Sequence, residues 1–82
     1  MTAVVLDPEL MESLASGDRA LLERWLAAEG DHVRAGQVLA QARLLHQTLE
    51  VTAAHAGVLE DILVAGGQTF APGDVLARLV EY

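Results

Sequence analysis

Apolar and polar residues alternate here in short blocks, without a long helical stripe. Val4–Leu6 is an apolar run stopped by Asp7-Pro8 and predicts an edge strand. Glu9–Leu14 (ELMESL) predicts one or two helical turns, with Asp7 as N-cap and Pro8 at the first helical position. Ser16-Gly17-Asp18 then breaks the pattern. Farther on, Ala40–Gly57 (AQARLLHQTLEVTAAHAG) predicts a strand, a tight turn around His46, a second strand and a second turn at Gly57.

Ala20–Glu29 (ALLERWLAAE) is ambiguous on local grounds. Its Ala, Leu and Glu favour helix, and Asp18 stands ready as a cap. An internal repeat decides against that. Moving Ala20–Ala42 by 37 positions lays it on Gly57–Leu79, and the pairs Leu22/Leu59, Glu23/Glu60, Leu26/Leu63, Ala28/Ala65, Gly30/Gly67, Gly36/Gly73, Val38/Val75, Leu39/Leu76 and Ala40/Ala77 are identical. Each copy reads apolar segment, Gly turn, a lone apolar residue (Val33 or Phe70), a second Gly turn, and a Val-Leu-Ala strand. Val58–Val64 (VLEDILV) is the more strand-like copy, and the glycine spacing leaves no room for a long helix followed by a strand. Both copies are therefore expected as strands. Neither half can cover its own apolar face, so the two should pack as an antiparallel, two-layer sandwich with approximate two-fold symmetry.

Composition narrows the core and the compartment. At 82 residues there is room for one domain, residues 1–82, with repeat halves at 20–42 and 57–79 and a hairpin at 43–48. The apolar residues are mostly Ala, Val and Leu, with one Trp, one Phe and one Tyr, which suits closely packed strands. No apolar run approaches the ~18 residues that would span a bilayer, and the start lacks the features of a signal peptide. Without cysteine there is no disulfide and no thiolate metal site. A cytoplasmic protein without membrane contact is expected.

The formal net charge of −7 argues against nucleic acid as a partner, because neutralising phosphates takes Lys and Arg. All five basic residues are arginine, and the chain contains no lysine. That detail bears directly on the chemistry.

Trp25–Ala40 (WLAAEGDHVRAGQVLA) is similar to the first half of lipoyl and biotinyl carrier domains. Thr48–Leu59 (TLEVTAAHAGVL) resembles the segment that follows their modified residue, and Ile62–Leu79 (ILVAGGQTFAPGDVLARL) resembles their second half. The resemblance implies an all-β fold, a flattened β-barrel or sandwich of two four-stranded antiparallel sheets. A hairpin at one end then presents a lysine that carries lipoate or biotin through an amide. Carried over onto this sequence, that lysine falls on His46. Its neighbours Leu45 and Gln47 match neither the Asp and Ala flanks usual for lipoate nor the Met pair usual for biotin, so the cargo of the ancestor stays open.

Lipoylation and biotinylation need an amine that forms a stable amide. An acyl-imidazole is itself an activated acyl group and hydrolyses, and Arg43 stays protonated and is not nucleophilic. The resemblance therefore implies a non-catalytic carrier domain without covalent lipoate or biotin. His46 is then a site of proton transfer or noncovalent contact, a solvated turn residue, or part of a docking surface. Leu44, Leu45, Gln47 and Glu50 around the tip are the candidate docking residues. Two leucines at an exposed turn are costly unless something covers them, either a partner or the core itself. The partners implied are protein components of an acyl-transfer complex of the 2-oxo acid dehydrogenase or carboxylase type.

The alternative is a purely structural barrel of the kind found in membrane fusion proteins, but those interrupt the hairpin with long helices. A zinc site of His32, His46 and His55 is disfavoured because the three fall in different turns without short ligand spacing. His32 and His55 read as turn residues, and Trp25 as core or half-buried strand. Glu50 and His46 lie four residues apart, roughly 13 Å along a strand, too far for a dyad. Gly66-Gly67 lacks the context of a phosphate loop, and no Gly-x-Ser-x-Gly occurs.

Overall fold

The computed structural model describes residues 2–6, 19–44, 46–71 and 73–81. All the regular elements among them are strands: β1 Thr2–Val4, β2 Ala20–Trp25, β3 His32–Val33, β4 Val38–Leu44, β5 Gln47–Thr52, β6 Gly57–Ile62, β7 Thr69–Phe70 and β8 Ala77–Val80. They form two four-stranded antiparallel sheets, in the orders β1-β8-β6-β3 and β5-β4-β2-β7. No strand is common to both, so the architecture is a sandwich and not a closed barrel. The helical turns expected at Glu9–Leu14 lie outside the described residues.

The disputed block Ala20–Glu29 is a strand as far as Trp25. Ala20 and Leu22 are fully buried while Leu21 and Glu23 are only partly so, a two-residue period that a helix cannot produce. Burial against the other sheet overrides the helical propensity of Ala, Leu and Glu.

The repeat is present in three dimensions. A shift of 37 carries β2 onto β6 and β3 onto β7. It also carries the register shift between Leu22 and Arg24 in β2 onto the one between Leu59 and Asp61 in β6. Each of these bulges bends its strand over the core at the same place. Exchanging the halves also puts β1 where β5 stands. Thr2, Ala3 and Val4 pair with Leu79, Arg78 and Ala77 as Leu49, Glu50 and Val51 pair with Ala42, Gln41 and Ala40. The copies differ in their links: residues 5–19 join β1 to β2, but only 53–56 join β5 to β6.

The core lies between the sheets and draws on both halves. Leu22, Leu59, Leu39, Leu76, Val33 and Phe70 are its larger members. Where one copy holds Val33 the other holds Phe70, and where one holds Ala42 the other holds Leu79, so that volume lost on one side is supplied from the other. Trp25 is half-buried and donates its indole N–H to the Val64 carbonyl oxygen at 2.7 Å, which ties β2 to the chain leaving β6.

Two sequence-based details need correction. Gly57 is not in a turn: the chain bends over 54–56, and Gly57 is the first residue of β6. A Cβ there would run into the Val80 carbonyl oxygen, so glycine serves a close backbone approach. His32 is likewise not a turn residue but opens β3, opposite Val58.

Candidate functional site

The candidate site is the hairpin between β4 and β5. Its strands pair from Val38↔Thr52 up to Leu44↔Gln47, which leaves a two-residue connection of Leu45 and His46. Tight connections of this length usually carry Asn, Asp or Gly. His46 is exposed in the turn.

Of the four docking candidates, Gln47 and Glu50 lie exposed on β5. Leu44 does not belong with them. It is 2% exposed and part of the core, because at the end of β4 its side chain points inward between the sheets. Its cover is the protein's own interior. Leu45 lies outside the described residues.

Below the turn, the outer face of this sheet is polar. Arg43 Nε lies 3.4 Å from Glu23 Oε1, and Arg24 Nε donates to Gln41 Oε1 at 2.9 Å. Arg19 donates to the Thr69 hydroxyl at 3.1 Å and to the Thr69 carbonyl. These are solvated pairs, each worth at most ~1 kcal/mol, and they assemble no acid–base set.

The three histidines go to separate places. His32 is on β3, His46 is in the turn and His55 is in the bend before β6. Among the described residues no group of three His, Cys, Asp or Glu could hold a metal ion. His55 has a role that its spacing in sequence did not signal. Its Nδ1 lies 2.8 Å from the Ala56 carbonyl oxygen, which can only accept, so Nδ1 carries the proton. Nε2 then faces the Thr2 hydroxyl at 2.7 Å and clips β1 to the corner. No helix among the described residues is long and apolar enough to cross a membrane.

A sandwich of two strand-swapped halves with a tight hairpin between β4 and β5 is the architecture of lipoyl-type domains. The solution structure of the lipoyl domain of the 2-oxoglutarate dehydrogenase complex from Azotobacter vinelandii has the same fold, with a TM-score of 0.75, 24% sequence identity and 98% of each chain covered. The profile of the biotin/lipoyl family, described as "Biotin-requiring enzyme", matches residues 5–79, and the chain belongs to that family. Among curated proteins it is 34% identical over 74 residues to the dihydrolipoyllysine-residue succinyltransferase component of the 2-oxoglutarate dehydrogenase complex of Bacillus subtilis, covering 90% of this chain and 17% of that protein. It is 34% identical over 82 residues to the dihydrolipoyllysine-residue acetyltransferase component of the pyruvate dehydrogenase complex of Zymomonas mobilis, covering 99% of this chain and 18% of that one. The chain thus spans less than a fifth of the length of these relatives.

The family's cofactors are held through an amide to a lysine side chain. This chain has no lysine anywhere, so no side chain in it fits a covalently attached lipoyl or biotinyl group.

Proposed function

We propose that this chain is a lipoyl-type domain that docks within acyl-transfer complexes of the 2-oxo acid dehydrogenase class and carries no covalent lipoate. In this reading His46 occupies the position of the acceptor lysine. The observation that carries it is an exposed imidazole in the two-residue turn of a chain without a single lysine.

The chemistry follows from the side chains. Histidine is shorter and stiffer than lysine and cannot act as a swinging arm. An acyl group placed on its ring would be lost to water, because neutral imidazole is a good leaving group. What remains at the tip is recognition: an imidazole able to donate and accept hydrogen bonds, flanked on β5 by Gln47 and Glu50. Lipoate is favoured over biotin as the cargo of the ancestor, since the relatives quoted above are named for dihydrolipoyllysine. The domain is non-catalytic in this reading, and its setting is the cytoplasm.

A purely structural barrel is the weaker reading, because Leu44 and Gln47 pair directly across the turn and leave no inserted helices between β4 and β5. Co-sedimentation with purified 2-oxo acid dehydrogenase complexes tests the proposal. The domain should pellet with one of them in a saturable manner. Recovery in the supernatant at every complex concentration would contradict docking.

A further inference from the structure

The two-fold relation puts an equivalent row of three residues on the outer face of each sheet. On the hairpin sheet Gln41 of β4 pairs with Arg24 of β2 on one side and Glu50 of β5 on the other. On the second sheet Arg78 of β8 pairs with Asp61 of β6 and Ala3 of β1. The shift of 37 carries Arg24 onto Asp61 and Gln41 onto Arg78, and the exchange of β5 with β1 carries Glu50 onto Ala3. Ala40 and Ala42 on either side of Gln41, and Ala77 and Leu79 on either side of Arg78, are buried, so both rows face away from the core.

Each row holds one positive and one negative side chain, differently placed. In Ala3–Arg78–Asp61 the charges are neighbours and close on one another, with Arg78 Nε 3.5 Å from Asp61 Oδ2. In Glu50–Gln41–Arg24 an amide stands between them. Gln41 Oε1 accepts from Arg24 Nε at 2.9 Å, which holds the guanidinium in place and leaves its two terminal nitrogens for another acceptor. Glu50 is exposed two strands away, roughly 10 Å across the sheet. Among the described residues neither Arg24 nor Glu50 is ion-paired.

The surrounding face keeps this polarity. Arg43 and Glu23 neutralise each other at 3.4 Å. Arg19, held by the Thr69 hydroxyl and carbonyl on the β7 side, adds positive charge toward the Arg24 end. Carboxylates are in excess in a chain of net charge −7, yet these two arginines are matched to neutral oxygens. The closed pair of Asp61 and Arg78 shows that the fold accepts mutual neutralisation at the same place, so packing does not demand the separation. Gln41 stands three residues before Leu44, the last residue of β4, which sets the row about 10 Å below the turn that holds His46.

We infer that Arg24 and Glu50 fix the pose in which this domain docks. A protein component of the acyl-transfer complex presents a carboxylate to the free edge of the Arg24 guanidinium and a Lys or Arg to Glu50, spaced roughly 10 Å apart. This pose rests on the docking reading above and adds to it the face that is covered and the charges that the partner brings. Exposed pairs contribute little affinity, but the reversed pose sets like charges against each other and is rejected.

The test is co-sedimentation of the full chain and its variants with purified pyruvate dehydrogenase and 2-oxoglutarate dehydrogenase complexes. Arg24→Gln and Glu50→Gln should each weaken binding about two- to fivefold at low salt, and the loss should shrink as salt screens the pairs. The variant with Arg24→Glu and Glu50→Arg keeps the net charge of −7 but reverses the polarity of the row. It should bind about tenfold or more weakly. The variant with Asp61→Asn and Arg78→Gln also keeps the net charge, alters the equivalent row of the second sheet, and should bind like the parent. Denaturant midpoints check that each variant is folded. Parental affinity in the polarity-reversed variant, or an equal loss from the second-sheet variant, would overturn the pose and leave docking standing. Failure of the parent chain to pellet with either complex would overturn both.

Discussion

Gly30 and Gly67 stand 37 residues apart, share a φ of +91°, and each bonds to a leucine of the opposite half. Gly30 N–H donates to the Leu59 carbonyl at 2.7 Å, and Gly67 N–H donates to the Leu22 carbonyl at 2.7 Å. The reverse bonds, Leu59 N–H to Asp31 and Leu22 N–H to Gln68, are both 2.9 Å. The two halves thus clasp one another through the same pair of contacts used twice.

Gly30→Ala and Gly67→Ala should therefore cost about the same, about 1–2 kcal/mol each, because the strain comes from a positive φ in open space and not from a clash. Gly57→Ala should cost more, since the added carbon meets the Val80 carbonyl oxygen. Urea unfolding of the three variants checks the ranking. A large difference between Gly30 and Gly67 would contradict the two-fold reading.

Leu44 tests the correction at the hairpin. As a core residue it should cost about 2–5 kcal/mol when cut to alanine. Gln47→Ala and Glu50→Ala, both at exposed positions, should stay within about 0.5 kcal/mol of the parent. Denaturant midpoints distinguish the two groups. A stable Leu44→Ala would return that leucine to the surface.

Much of this architecture was legible because its glycines and its Val-Leu-Ala strands repeat in sequence. The paired turns were only half legible. Asp31 and Gln68 do the same job, each accepting a 2.8 Å bond from the backbone N–H three residues earlier, and Gln37 and Asp74 form a second such pair at 3.0 and 2.9 Å. A carboxylate and a side-chain amide both offer an oxygen, so equivalent contacts are written with different letters. The sequence leaves the burial of Leu44 open between a partner and the core, because no local pattern records which side of a strand faces the other sheet. His55 was legible as a turn residue, but its bond to Thr2, 53 positions away, was not.

Trp25→Phe should lose the 2.7 Å indole bond and leave the Val64 carbonyl without that donor. The expected cost is about 1 kcal/mol, with an additional change in volume that repacking absorbs in part. Thermal unfolding followed by far-ultraviolet dichroism reads it. An unchanged midpoint would mean the ring contributes packing alone.

The His55 clip should act locally. His55→Ala removes the bond to Thr2, so the amides shared by β1 and β8 should exchange faster by roughly fivefold, corresponding to about 1 kcal/mol. Those of β2 and β4 should not change. Hydrogen exchange read residue by residue decides it, and a uniform acceleration would show that His55 serves global stability instead.

The most direct test is the intact mass of this chain and of its His46→Lys variant, each co-expressed with a lipoate ligase and with a biotin ligase. The wild-type chain should leave both with its unmodified mass, while the folded variant should gain a single acyl group from one of them. An adduct on the wild-type chain, or a folded variant that neither ligase touches, would contradict the claim that an imidazole stands where the family places its amine.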